Sequence, residues 1–225
     1  MAQESPSRKR SNPQPKKKLL ERKGLVLGII VVIILASAIG IYAVYPKGQS
    51  TNHKITVVNP VAVINTSYGT IRVELYMQQM PLTTGNFIHL VSDGFYNGLV
   101  FHRVIHNFMI QGGGFFANGT QRVDPYGSIR FESNATVLHV DGAISMASTA
   151  VKVGGSSQFF ICDGAQPSLD GNYAAFGKVV SGMDVVRSIS ALDPDHTTTK
   201  YGSYQNWPVN DVIINSITID YGYPE

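Results

Sequence analysis

A chain of 225 residues has room for one sizeable domain plus an appendage. Its formal charge of +3 is unevenly placed: residues 1–23 hold eight Lys/Arg against Glu4 and Glu21, or +6, which leaves about −3 for the rest and disfavours a uniformly basic nucleic-acid binder. The single Cys excludes an internal disulfide and a Cys-rich zinc cluster, while 44 % apolar residues are enough to build a core.

Residues 1–24, with their Pro, Ser and Lys, read as a basic disordered tail. Leu25–Tyr45 then runs 21 residues without a charge. At a rise of about 1.5 Å per residue that length spans a hydrocarbon core of about 30 Å, so a transmembrane helix is expected at 25–45 with the lipid bilayer as its partner. The basic block precedes it, whereas only Lys47 and Lys54 follow closely; this bias places the N-terminus in the cytoplasm and the remainder outside it. Tyr42 and Tyr45 fall where an outer interface would lie, and Pro46 ends the helix. The competing reading is a cleaved signal peptide, with Ala36-Ser37-Ala38 as the cleavage site.

A polar linker at 46–58 leads into one domain over 59–225. Its pattern is mostly period two, predicting strands at Val61–Asn65, Thr70–Tyr76, Leu99–Val104, Phe108–Gln111, Ala143–Ala147, Gln158–Cys162, Ala174–Val179 and Val212–Ile219. Two stretches carry a helical period. One begins at Pro81, presents Leu82, Phe87, Leu90 and Val91 on one face and stops at Gly94; the other is Met183–Ile189. About eight strands and two helices without strict alternation argue for a mainly β fold, an antiparallel barrel rather than a doubly wound sheet.

Several chemistries are weighed and set aside. His102 and His106 stand four apart, but no His-Glu-x-x-His pattern surrounds them, so they read as ordinary loop or edge histidines and no metal is expected. Cys162 lies in the apolar run FFIC and reads as a buried, inert thiol. Gly112-Gly113-Gly114 follows a strand without a subsequent helix or Lys-Ser/Thr, which argues against a phosphate loop. Asn65, Asn118 and Asn134 each head a glycosylation sequon, meaningful only in an exported domain. Asp193–Pro208 has loop composition and reads as a long connection. Arg103 stands out because Phe101, Val104, Phe108 and Met109 surround it. From composition alone two readings stay open: an Arg reaching from a strand edge to a surface carboxylate, or one aimed at a ligand.

Four blocks in order bear on that choice: FHRVIHNFMIQGG at 101–113, SMAS at 145–148, SSQFFI at 156–161 and LDGNYAAFGKVVSGMDVV at 169–186. Together they resemble the cyclophilin-type peptidyl-prolyl cis–trans isomerases over roughly residues 61–220. The resemblance implies a closed eight-stranded barrel with two capping helices and a cofactor-free isomerase acting on proline-containing polypeptides. It also implies that Arg103 is catalytic, that Phe108, Met109, Phe160 and Leu169 form the proline pocket, and that Gln111, Ala147 and Gln158 hold the peptide backbone. Ser148 replaces a common Asn, where a backbone contact survives the change. Tyr173 replaces the pocket His and can still line the pocket. Ser168 replaces a Trp, so the resemblance does not extend to tight cyclosporin binding. The alternative reading is a proline-peptide binding or chaperone module that uses the same groove with little turnover.

Overall fold

The computed structural model describes residues 58–192 and 206–222. The tail at 1–24, the helix at 25–45 and all of the linker but Val58 lie outside them. Among the described residues no helix is long and apolar enough to cross a membrane.

Eight strands form one antiparallel sheet: β1 (Val61–Thr66), β2 (Gly69–Leu75), β3 (Leu99–Ile105), β4 (Met109–Phe116), β5 (Ala143–Met146), β6 (Phe159–Cys162), β7 (Ala174–Ser181) and β8 (Ile214–Asp220). Helix α1 (Pro81–Ser92) packs against β7 and β8, and α2 (Met183–Ser190) packs against β2, β3 and β4. The strand order is β3-β4-β6-β5-β7-β2-β1-β8. Its two ends meet through the Val100↔Ile213 bridge, with Phe101 N–H donating to Val212 O at 3.0 Å and Gly98 N–H to Ile214 O at 2.8 Å. The sheet is therefore a curled half-barrel seamed by a short bridge rather than the fully laddered barrel expected. The reason is local: the seam uses only residues 212–214, at and just before the start of β8.

The inner face carries the main core, including Ile64, Ile71, Val73, Phe87, Phe101, Ile110, Ile144, Phe159, Ile161 and Phe176. Rings dominate one end of it. Phe159 meets Phe87, Tyr96 and Phe101 edge-on at 5.5, 5.4 and 5.9 Å between centroids, the geometry that the aromatic quadrupole favours.

Three expectations need correction. The strand predicted at Phe108–Gln111 runs on through all three glycines to Phe116, because those glycines are sites of close packing and not a loop. At Gly113, with φ +84°, a Cβ would lie 2.9 Å from both Ser157 O and Tyr96 Cε1, and only Gly fits there. Second, α1 buries Thr83 and Thr84 while Leu82 is only partly buried, so its apolar face is narrower than its periodicity implied. No local side chain caps this helix. Glu132 does so from a distant loop, accepting the N–H groups of Leu82 (3.2 Å) and Thr83 (2.7 Å) and the Thr83 hydroxyl (2.7 Å). Third, His102, read as a loop or edge residue, is on the end strand of the sheet and not in a loop, and it is covered. It lies within β3 at 3 % exposure, its ring 4.7 Å from Phe115 and 5.9 Å from Trp207. His106 does sit exposed in the β3–β4 turn.

Of the segment 193–208 only residues 206–208 are described; there Trp207 is buried in a small cluster with Val100 and Phe115. Among the sequons, Asn118 is exposed in a turn, whereas the Asn65 amide donates to Ser216 Oγ at 3.2 Å from within β1.

Candidate functional site

The outer face of β3–β6 carries a second apolar cluster, and the ladder register builds it in rows. Arg103 pairs with Gln111, Gln111 with Phe160, and Phe160 with Ser145; one step along, Ile105 pairs with Met109 and Met109 with Cys162. Residues paired across antiparallel strands share a face, so each row sets its side chains shoulder to shoulder. A bulge between Phe101 and Arg103 makes this possible on β3. Strict alternation would set these two residues on one face, yet Phe101 belongs to the inner core and Arg103 to the outer cluster.

Met109, Ala143, Phe160 and Cys162 form the buried floor, and Ile105, Phe108, Ala147, Leu169 and Tyr173 pack around it, partly open to solvent. Leu169 closes a 3-10 turn, Pro167–Leu169, and its carbonyl accepts the Tyr173 N–H at 3.1 Å. The Tyr173 ring meets Phe160 edge-on at 6.1 Å.

Arg103 lies along the rim of this cluster. Its Nη1 donates to Gln111 Oε1 at 3.4 Å and stands 3.8 Å from Met109 Sδ, with the guanidinium carbon 6.0 Å from the Phe108 ring centroid. No ion pair to a carboxylate involves it among the described residues, which removes the surface-carboxylate reading. Partial burial lowers its pKa from the usual value, with Tyr173 as a smaller opposing influence. Arginine nonetheless keeps its charge in proteins.

Gln111 in turn donates through Nε2 to Gln158 Oε1 at 2.9 Å, and Ala147 N–H donates to Gln158 O at 2.9 Å. These residues and Ser148 border a cleft of about 530 Å³ whose opposite wall includes Arg122, Asp124 and Ile129. Ser148 Oγ donates to Ala150 O at 2.6 Å, so its hydroxyl is occupied within its own loop. Ser168, at the position usually held by Trp, is exposed.

The fold thus gathers all ten predicted positions on one face: Arg103, Phe108, Met109, Gln111, Ala147, Ser148, Gln158, Phe160, Leu169 and Tyr173. Sequence reasoning missed Ala143 and Cys162 in the floor and Ile105 beside it. The signal for Cys162 was present, since it stands two residues after Phe160 and so shares its face. Its thiol is buried as expected, and burial, with help from Asp141 and Asp170, pushes its pKa up to about 12, away from any nucleophilic role.

Comparisons with known proteins bear directly on this site. Residues 61–219 match the family described as cyclophilin type peptidyl-prolyl cis-trans isomerase/CLD. A peptidyl-prolyl cis-trans isomerase of Acinetobacter baylyi is 39 % identical over 166 residues, 72 % of this chain and 86 % of that protein. Isomerase B of Escherichia coli is 35 % identical over 71 % of this chain and 99 % of its own length. A crystal structure of a Cryptosporidium parvum cyclophilin superposes with a TM-score of 0.64 at 30 % identity, covering 74 % of this chain and 99 % of that one. A second structure of that protein, with a TM-score of 0.62 at 31 % identity over 71 % of this chain and 98 % of that one, was determined in the presence of the dipeptide Ala-Pro. The chain described by these strands, this cluster and these relatives belongs to the cyclophilin-type peptidyl-prolyl cis–trans isomerases and is an enzyme.

Proposed function

We propose that this protein is a membrane-anchored prolyl isomerase that accelerates folding of exported or surface proteins, with Arg103 as its catalytic residue. The anchor is residues 25–45. The basic block before that segment keeps the N-terminus in the cytoplasm and the isomerase domain outside it. Slow X–Pro rotation limits the folding of such clients, and a catalyst needing no nucleotide or thiol partner suits that compartment.

Rotation about an X–Pro bond breaks amide resonance, against a barrier of about 18 to 20 kcal/mol. In the twisted state the proline nitrogen gains lone-pair character. A fixed donor beside that nitrogen is favoured more there than in either planar state, which is what lowers a barrier. Arg103 supplies the donor, and Gln111 steadies it from the neighbouring strand. Phe108, Met109, Phe160, Leu169 and Tyr173 hold the pyrrolidine ring, while Gln111, Ala147, Ser148 and Gln158 grip the chain beside it. With one half held, twisting falls on the bond. Shortening a step of tens of seconds to milliseconds takes about four decades, or about 5.5 kcal/mol.

The single observation that carries this reading is a guanidinium without a carboxylate partner among the described residues, set on the rim of a partly open apolar floor. The test is the full chain in detergent micelles acting on an Ala-Pro peptide. Arg103→Ala is expected to lose about 10²- to 10³-fold in rate while the fold persists. An unchanged rate would move the assignment to a proline-peptide binding or chaperone module. Orientation has its own test: external protease on intact cells should remove the domain and spare the tail, and the reverse pattern would overturn the topology.

A further inference from the structure

His139 plays no part in the scheme above, yet three lines of contact converge on it. It is 2 % exposed and its ring stacks under Phe160, 6.0 Å between centroids with the planes 13° apart. Its Nδ1 lies 2.9 Å from Asp170 Oδ1, and its backbone N–H donates to that same oxygen at 2.7 Å. Its carbonyl accepts the Gln166 N–H at 2.7 Å. Gln166 and Asp170 bracket the 3-10 turn that carries Leu169, and Leu169 in turn accepts the Tyr173 N–H. One buried residue therefore touches the pocket floor and ties down both ends of the segment that forms the pocket wall.

The ring's other nitrogen, Nε2, lies 3.0 Å from Ser145 Oγ. Ser145, His139 and Asp170 thus have the hydrogen-bond order of a nucleophilic triad. The hydroxyl is fully buried and pairs across the ladder with Phe160, so no acyl substrate reaches it. What the constellation does is fix a ring. Burial lowers the His139 pKa against the opposing pull of Asp170, which favours the neutral imidazole, Nδ1–H donating to Asp170 and Nε2 accepting from Ser145.

We propose that His139 is a positioning residue of the isomerase site, clamping residues 166–173 through Gln166 and Asp170 so that Leu169 and Tyr173 stand against Phe160. The inference rests on the isomerase reading for its kinetic consequence, though the clamp itself does not. A loosened wall binds the proline ring less well in every state, whereas Arg103 is untouched. The effect belongs in KM.

The experiment compares the full chain with His139→Phe, which keeps a flat ring and removes its hydrogen bonds, and with Asp170→Ala. His139→Phe is expected to raise KM for an Ala-Pro peptide about tenfold, the size of one lost charge-assisted buried bond, and Asp170→Ala, which also strands the His139 N–H, by at least as much, each with kcat within about twofold. The double variant should be no worse than Asp170→Ala alone, because the carboxylate serves both the ring and the His139 N–H. His139→Asn places an amide donor near the former Nδ1 and should restore KM to within about twofold of the parent. Amide hydrogen exchange gives a readout independent of turnover: Leu169 and Tyr173 should exchange faster in His139→Phe, while Ile144 and Ile161 keep their protection. Unchanged KM and exchange, or a fall in kcat alone as expected from a smaller folded fraction, would overturn the clamp. A parent chain without turnover would instead defeat the isomerase reading and leave the exchange comparison to decide the clamp.

Discussion

The two halves of the sheet bury their residues in different ways. On β1 and β2 burial alternates, every second residue lying in the core and its neighbours facing water. On β5 and β6 every residue is buried, and β3 and β4 approach that state. A half-wet sheet needs one apolar face, so the second face on β3–β6 is surplus to folding. Part of it is closed by Trp207 and Phe115; the rest is the partly open cluster beside Arg103. In this molecule the place where alternation fails is the cluster to which the proposed function assigns the proline ring.

The sharpest way to break that contrast uses two adjacent rings on β6. Phe159 is fully buried in the inner core among Phe87, Tyr96 and Phe101, and Phe160 faces outward over His139. Phe159→Ala should cost about 3 to 5 kcal/mol of stability, with the folded fraction retaining its turnover. Phe160→Ala should cost somewhat less, about 2 to 4 kcal/mol, since Phe160 is itself buried but its neighbours are partly open, and should abolish most of the peptide affinity. Urea unfolding beside isomerase kinetics reads both. Retained peptide affinity in Phe160→Ala would mean that the outer cluster is ordinary core.

A pH titration separates the outer face further, because β3 carries Arg103 and His102 side by side. Burial, with the adjacent Arg103 cation, pushes the His102 imidazole down to about 4, against the opposing hydrogen bonds of Val100 and Gln158. The unfolded chain takes up that proton near its ordinary value of about 6.5 and the folded chain does not. Stability should therefore fall as pH drops from 6.5 towards 4, by about 3 kcal/mol from this group. His102→Gln should flatten that part of the profile. Turnover measured on folded protein across the same window should not report a titration of Arg103, whose charge is constant.

Much of this was legible beforehand, and the exceptions have a common cause. Period two located all eight strands, and Pro81 and Gly94 located α1, because alternation and backbone conformation are local properties. The ten proposed site residues came from ordered blocks that resemble one family, and the fold gathers them. What failed was non-local. The expected strand stops at Gln111 because nothing local shows that Tyr96, Phe159 and Gln158 pack on the glycines of β4. His102 is on an end strand, but its burial depends on Trp207, more than a hundred positions away. His139 carries no motif at all. Its significance comes from Asp170 and Phe160 arriving at the same place in space.

The cap of α1 is the smallest such effect and the cleanest to isolate. The helix starts at Pro81, which has no N–H to satisfy, and the next two donors meet Glu132. A carboxylate at a helix N-terminus answers both the open N–H groups and the positive end of the dipole. Glu132→Ala should therefore cost about 1 to 2 kcal/mol, and Glu132→Gln less, because the amide still offers one acceptor. Asn86 on this helix donates to Ser156 O, close to the cleft wall, so a displaced helix would also disturb the peptide-binding side. Denaturant midpoints give the first quantity and KM the second. A stability loss with KM unchanged would place the cap wholly on the inner, structural side of the molecule; a raised KM would show that the wet half of the fold helps to shape the site on the dry one.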